Sequence, residues 1–564
     1  MLKADLVVCG GTIHSMDKSK NQFEALAISE NKIVYVGDNS GAKEYIGENT
    51  QVINLNGESV VPGFVDSHIH PATNFIIGEY IVKLFDLDPV EDDYLNAIKD
   101  FAEKNPDAKA ILGQGFQLNA FPDTDPSKAA LDAISDQIPI VMIDSSFHVF
   151  WANSKAIEMS GITKDTPDPE GSIIARDEEG NPSGYFIDAY VFDEVMQLGA
   201  ITVDIFEKTW LLWQAQANSY GITSFSSGGA NAIYEPDSVA RWKMSKKLEE
   251  NGKLSLRCNM PYLICGDEIN DDTIGAAIQS LDQNKVYESD FRRIQTVKVY
   301  VDGVVEGKSA LLLEPYAVDD TTCGYSLMSQ EELDRLVYEA NKHGYGIHMH
   351  TITDGGARMG VNAIERARKA TGNLAPRNTL AHLTLLDPSD MPRMAENDII
   401  GAVQPIWSYR DPVFSELELE FLGEERFERM HAYRSMIDAG VTITGSADYG
   451  VFEDYRPLAG MQVGATKCSP YEGEKGKKEF IRGEQEKTTL YEMLEAYTIN
   501  GAYQMGMEDK LGSIEVGKLA DIAILSANIF EINIEDLEQE RVLYTILDGK
   551  IVYTDEVLDG TKVN

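Results

Sequence analysis

Val60-Val-Pro-Gly-Phe-Val-Asp-Ser-His-Ile-His70 is an apolar run that ends in two histidines two positions apart. In an extended chain alternate side chains share a face, so His68 and His70 project to one side and can offer two imidazole nitrogens to a single divalent ion. The run reads as one buried strand that delivers metal ligands at its end. Two histidines on a strand face also suit a plain polar surface, so the reading depends on what other segments carry. The chain contains nine histidines, and five of them lie in strand-like segments.

Upstream, residues 4 to 60 hold short β-like pieces, Asp5 to Cys9, Ala25 to Ser29, Lys32 to Val36 and Gln51 to Leu55, each bounded by Gly, Asn or Asp. This suits a small antiparallel unit. The far end repeats the pattern with Asp521 to Leu525, Val542 to Leu547 and Lys550 to Tyr553 around Asp548-Gly549. Residues 1–60 and 510–564 are therefore expected to form one composite β domain built from both termini.

Between them, residues 61–509 alternate apolar strand-like runs with amphipathic helical stretches, the pattern of repeated β-α units and a parallel sheet. The strands expected are Val60 to His70, Ile222 to Ser226, Ser255 to Ile264, Thr296 to Val301, Gly346 to His350, Thr379 to Leu383, Ile400 to Gln404 and Val441 to Ser446. Eight is the count of a (β/α)8 TIM-like barrel. Helices fit at Glu331 to Lys342, Gly356 to Ala370, Pro388 to Glu396 and Arg426 to Asp438. The connection between the first two strands is far too long for a loop and calls for an inserted subdomain at about residues 75–215.

The 564 residues carry 49 basic and 92 acidic side chains, a net charge of −43. Such a surface repels nucleic acid and anionic membrane, which need cationic patches. Five cysteines, Cys9, Cys258, Cys265, Cys323 and Cys468, without Cys-x-x-Cys spacing, indicate neither a disulfide framework nor a zinc ribbon. Reduced thiols, no signal-like apolar stretch and no run of about 18 apolar residues lead to the expectation of a cytoplasmic protein outside the membrane.

The active site of such a barrel lies at the C-terminal ends of its strands. Those ends present His68, His70, Lys298, His350, His382 and Asp448. His348 and His350 form a second His-x-His in which either residue can ligate; His350 is nearer the strand end, which leaves His348 one step deeper on the same face. Lys298 is a cation in an apolar strand, costly unless paired, modified or deprotonated. An ordinary amine ion-paired to Asp302 or Asp448 is the alternative to a modified one. Asp448 follows Gly445-Ser446-Ala447, small residues that let a carboxylate approach a crowded centre.

Taken together the chain resembles the metal-dependent amidohydrolase superfamily, in the YtcJ-like branch of its amidohydrolase-3 group. The resemblance rests on Pro62 to His70, His148 with Trp151 and Asn153, Gly221-Ile-Thr-Ser, Lys298 to Gly303, Glu314-Pro-Tyr, His350 with Asp354, His382, Gln404-Pro405, Gly445 to Asp448, Ala496-Tyr-Thr and Leu511-Gly-Ser-Ile-Glu-Val-Gly-Lys-Leu-Ala-Asp521. It implies that His68 and His70 hold one metal ion with Asp448, that His350 and His382 hold a second, and that a carboxylated Lys298 bridges them. It further implies a β-sandwich for the terminal domain. One or two divalent ions are implied, zinc first, with Mn, Fe, Co or Ni compatible with the same donors. A metal-activated hydroxide would then attack an amide-like carbonyl, with Asp448 as the catalytic base and proton carrier.

Around that centre the resemblance weakens. Gly113-Gln-Gly-Phe-Gln117 and Phe225-Ser-Ser-Gly228 depart from the branch pattern, Ala381 stands where Glu is usual, and Gly-Ser-Ala-Asp has one residue more than the common Gly-Ser-Asp. His148, Phe116 and Trp151 are candidates for substrate contact, with a structural or core role as the alternative for each. Asp354 is a candidate support for His350. The expected function is hydrolysis of an N-acyl, formamide or cyclic amide C–N bond in a small-molecule substrate, compatible with a homodimer. Decarboxylation, deamination or ester hydrolysis at the same centre is the first alternative, and a non-catalytic ligand-binding barrel the second.

Overall fold

The computed structural model describes residues 3–121, 125–145, 149–168, 173–187, 191–229, 234–264, 269–412, 414–471 and 473–555. Two compact units emerge, one made of Met1–Pro71, Leu211–Gly229 and Ser238–Asn564, the other of Ala72–Trp210 and Ala230–Asp237.

The first unit carries eight parallel strands: β1 (Phe64–Ile69), β2 (Ile222–Ser227), β3 (Arg257–Asn259), β4 (Thr296–Tyr300), β5 (Gly346–Thr351), β6 (Asn378–His382), β7 (Ile399–Val403) and β8 (Ile443–Gly445). β1, β2 and β3 pair side by side with Arg292–Arg293 at the edge, and a second sheet runs Tyr262–Leu263, β4, β5, β6, β7, β8. β1, β2, β6 and β7 are buried at every position, so both of their faces are covered. Helices follow β4, β5 and β6 at Gln330–Lys342, Asp354–Thr371 and Asp390–Glu396. The first of these opens on a reciprocal capping box between Ser329 and Glu332. Beyond β8, the Asp448 N–H donates to the His68 carbonyl at 3.2 Å, and the His70 N–H to the Tyr449 carbonyl at 2.8 Å.

Two expected strands prove to be two strands each. The run from Val60 breaks at Gly63: Ser59–Pro62 pairs with Ile522–Leu525 in the terminal sheet, and only Phe64 onward joins the parallel sheet. Gly63 is required there because a Cβ would overlap the Thr223 side chain. Ser255 to Ile264 breaks at Met260-Pro261, where proline has no N–H to donate, and its halves enter different sheets.

Both termini join in one continuous sheet of eight strands. Leu6–His14 lies antiparallel to Gln22–Ser29 but parallel to Gln51–Asn54 and Ser59–Pro62. The sheet is thus mixed rather than antiparallel, because the chain crosses over through the short helix Asn39–Ala42 and returns in the same direction. Leu6, Val8, Leu26 and Ile28 pack into one apolar cluster and Val7, Ala25 and Ala27 into another, so the alternation serves two buried faces.

The second unit is built on a six-stranded sheet running from Ile173–Arg176 through Pro182–Ile187, Val149–Ala152, Ile140–Asp144 and Ile111–Phe116 to Val82–Lys83. Phe116 and Trp151, expected to touch substrate, are core residues of this unit. Both are fully buried. Their rings meet edge to face at 6.1 Å, and Trp151 Nε1 donates to the Ser127 carbonyl. A buried indole with its N–H satisfied and its face covered serves packing. His148 lies outside the described residues. Among the described residues no helix is long and apolar enough to cross a membrane.

Gly63→Val is expected to destabilise the protein by about 1–3 kcal/mol through overpacking against Thr223, read as a lower thermal midpoint. Thr223→Ala in the same chain should recover part of the loss; an unchanged midpoint for Gly63→Val alone would contradict the close approach.

Candidate metal centre

His68 at the end of β1 and His70 just beyond it both face the Asp448 carboxylate: their Nε2 atoms lie 3.5 and 3.2 Å from Asp448 Oδ1. His382, the last residue of β6, brings Nδ1 to 4.0 Å from Asp448 Oδ2. The His350 ring, on β5, lies 4.5 Å from that of His382. Lys298, in the middle of β4, is wholly buried, with Nζ 4.7 Å from the centre of the Tyr300 ring. The six residues expected from the strand ends therefore do converge. His70 and His350 are the more open of the imidazoles, at 13% and 14% exposure.

Each of three histidines is held from behind through Nδ1. His68 Nδ1 bonds His348 Nε2 at 2.7 Å, His350 Nδ1 bonds Asp302 Oδ1 at 3.3 Å, and His382 Nδ1 bonds Gln404 Oε1 at 3.0 Å. Such outer partners orient metal-binding imidazoles and raise their basicity. His348 is thereby the support of His68, one step deeper than His350. Asp354, expected to back His350, instead accepts from the Leu313 N–H at the start of helix Asp354–Thr371. Asp302 takes that role, anchored by the N–H groups of Ile352 and Thr353. The signal for it was present in Val-Tyr-Val-Asp, a carboxylate just past a strand end. Gln404 was visible only as a motif letter.

The backbone is strained where the side chains converge. His382, Leu383 and Asp448 have φ of 77°, 49° and 57°. Left-handed geometry is uncommon for residues with a side chain and clusters at functional sites.

Electrostatics favour neutral imidazoles around an ionised carboxylate. Burial, followed by the Lys298 charge, holds His68 and His348 well below the ordinary histidine value. Burial and Lys298 push His350 down to about 3, and burial and His350 do the same to His382. Burial opposes ionisation of Asp448, but its interactions with His70, His382 and Lys298 outweigh it and keep its carboxyl below the usual value. Burial pushes Asp302 up to about 7 despite its backbone donors.

This donor set fits a divalent ion. His68, His382 and Asp448 present ligand atoms all within 4.8 Å of one another. His382 Nε2 is buried and makes no hydrogen bond among the described residues. The wall opposite is Gly228, where a Cβ would stand 2.6 Å from His68 Nε2 and 2.8 Å from His70 Cε1, so only glycine leaves the imidazole nitrogens clear.

The profile of the Amidohydrolase family matches residues 51–553. The chain is 28% identical over 548 residues to the Bacillus subtilis (strain 168) protein YtcJ, spanning 96% of this chain and 98% of that one. It is 24% identical over 568 residues to the N-substituted formamide deformylase of Arthrobacter pascens, spanning 97% and 98% of the two chains. Among solved structures, an uncharacterized metal-dependent hydrolase from Pyrococcus horikoshii OT3 shares the fold with a TM-score of 0.72 at 20% identity, over 94% of this chain and 99% of that one.

Two outcomes are expected. Gly228→Ala should weaken zinc binding by about 10-fold or more with the fold intact, measured by metal titration beside circular dichroism; unchanged affinity would remove Gly228 from the site. In the metal-free protein the His350 and His382 ring resonances should stay in their neutral positions from pH 8 to pH 5, because their values lie near 3. The unfolded chain takes up these protons below about pH 6.5, so each residue costs stability on acidification from there down to pH 3. A ring midpoint near 6.5 would overturn the enclosure of the site.

Proposed function

Because the chain belongs to the amidohydrolase family, we propose that it is a metal-dependent hydrolase cleaving an amide-like C–N bond, in an N-acyl compound, a formamide or a cyclic amide. The observation that carries this reading is the convergence of His68, His70 and His382 on the Asp448 carboxylate. The full-length relative named for deformylation of N-substituted formamides supports the bond type.

In this reading His68, His70 and Asp448 would hold one divalent ion and His350 and His382 a second, with a carboxylated Lys298 as an anionic ligand between the two groups. Zinc is the first candidate for nitrogen and carboxylate donors at this spacing. Such an ion supplies Lewis acidity, polarising the scissile carbonyl and making water a competent nucleophile near neutral pH. Asp448, held ionised, takes the proton of the attacking water on a carboxylate oxygen and returns it to the departing nitrogen. His70 and His350, the more open imidazoles, bound the entry side. Carboxylation turns the buried Lys298 amine into an anion, which removes the cost of enclosing a cation in β4.

The same reading has β1 to β8 close into a (β/α)8 barrel, with the ligands on its C-terminal rim. It places the protein in the cytoplasm with a small-molecule substrate; the described cysteines Cys9, Cys258, Cys323 and Cys468 are all free thiols.

Metal analysis of the purified protein, followed by a screen of N-acyl amino acids, formamides and cyclic amides, tests the proposal. Asp448→Asn should retain its fold and lose about 100- to 10,000-fold in turnover on any substrate found. Failure of the wild-type protein to bind any divalent metal would sink the hydrolase reading; full turnover by Asp448→Asn would remove the aspartate as base. Carbon-13 bicarbonate labelling should give a carbamate signal that Lys298→Arg abolishes.

A further inference from the structure

His382 is the histidine whose coordinating atom the protein specifies most fully. Its Nδ1 faces Gln404 Oε1 at 3.0 Å, while Asp448 Oδ2, the carboxylate oxygen on that side, stands at 4.0 Å, beyond hydrogen-bonding distance. The amide of Gln404 has no freedom to turn over. Its Nε2 lies 2.8 Å from Ser446 Oγ and 3.4 Å from the Ala402 carbonyl. A carbonyl can only accept. Ser446 Oγ spends its one proton on the Val403 carbonyl at 3.0 Å, so toward Gln404 it also accepts. Both neighbours therefore demand the amide nitrogen, and the amide oxygen is left for His382.

An amide oxygen accepts only, so Nδ1 of a neutral His382 must carry the ring proton. Its lone pair then resides on Nε2, the buried atom that makes no hydrogen bond among the described residues. The arrangement is braced twice more. Tyr433 Oη donates to the main-chain carbonyl of Gln404 at 3.0 Å, and the Trp407 ring lies parallel to the imidazole, 2° between planes and 5.6 Å between centres.

We propose that Gln404 is a positioning residue that sets the tautomer of His382, locking the proton on Nδ1 and leaving the Nε2 lone pair for a metal ion. This rests on reading the cluster as a metal centre, yet the tautomer is a property of the metal-free protein. Without the amide acceptor the proton can move to Nε2, where it must be lost before coordination.

The test is nitrogen-15 NMR of histidine-labelled full-length protein, first without metal and then in a zinc titration, with His382 assigned by its loss in His382→Gln. The wild-type protein should show the directly bonded proton on Nδ1 of His382. Gln404→Leu should move that proton to Nε2 in part or whole and weaken zinc binding about 10- to 100-fold. Gln404→Glu, which keeps an acceptor in place, should retain the Nδ1 proton, a rescue that mere space filling would not produce. A wild-type His382 protonated on Nε2 overturns the proposal outright and needs no variant. So does Gln404→Leu with an unchanged tautomer and unchanged zinc affinity. If the wild-type protein binds no zinc, the metal-centre reading falls while the NMR result still decides what Gln404 does.

Discussion

An ionised carboxylate enclosed on all sides is the constraint around which the parallel sheets are organised. Removing a carboxylate from water costs several kcal/mol, and only close, well-directed partners offset it. Asp448 finds them in His70 at 3.2 Å and His68 at 3.5 Å, with His382 and Lys298 farther out. The same burial that would neutralise Asp448 also keeps His68 and His382 unprotonated. Neutral imidazole and ionised carboxylate are the forms that ligate a metal, so one desolvated environment prepares both kinds of donor.

The convergence depends on parallel register. Lys298 pairs with His348, Tyr300 with His350 and Thr351 with His382, so adjacent strands present their functional residues at nearly one level. Each imidazole then meets a partner from another element: His348 behind His68, Asp302 behind His350, Gln404 behind His382. The left-handed backbone at His382, Leu383 and Asp448 shows that reaching this level strains the strand ends. That strain is held by the fully buried strands beneath.

The terminal sheet enters this arrangement through β1. Ser59–Pro62 is hydrogen-bonded to Ile522–Leu525, and after Gly63 the chain continues directly into the strand that ends at His68. Arg257 of β3 strengthens the connection with a two-point ion pair to Asp521 and a third bond to Asp548. The strands carrying the ligands are thus tied to both ends of the chain.

The sequence by itself determined the strand-and-helix order of the parallel region, the β character of both terminal segments, and the residue types at the strand ends. These follow from local rules: apolar runs, turn residues and the two-residue repeat that puts His68 and His70 on one side. Only the tertiary structure decided that Phe116 and Trp151 are core, that Asp302 rather than Asp354 supports His350, and that Gln404 faces His382. It also decided that Val60 to His70 and Ser255 to Ile264 are each divided between two sheets. A sequence shows which residues can donate, accept or pack, but a hydrogen bond between residues 280 positions apart, such as His68 with His348, exists only once the strands have settled side by side. The direction of each ring nitrogen is a consequence of that packing.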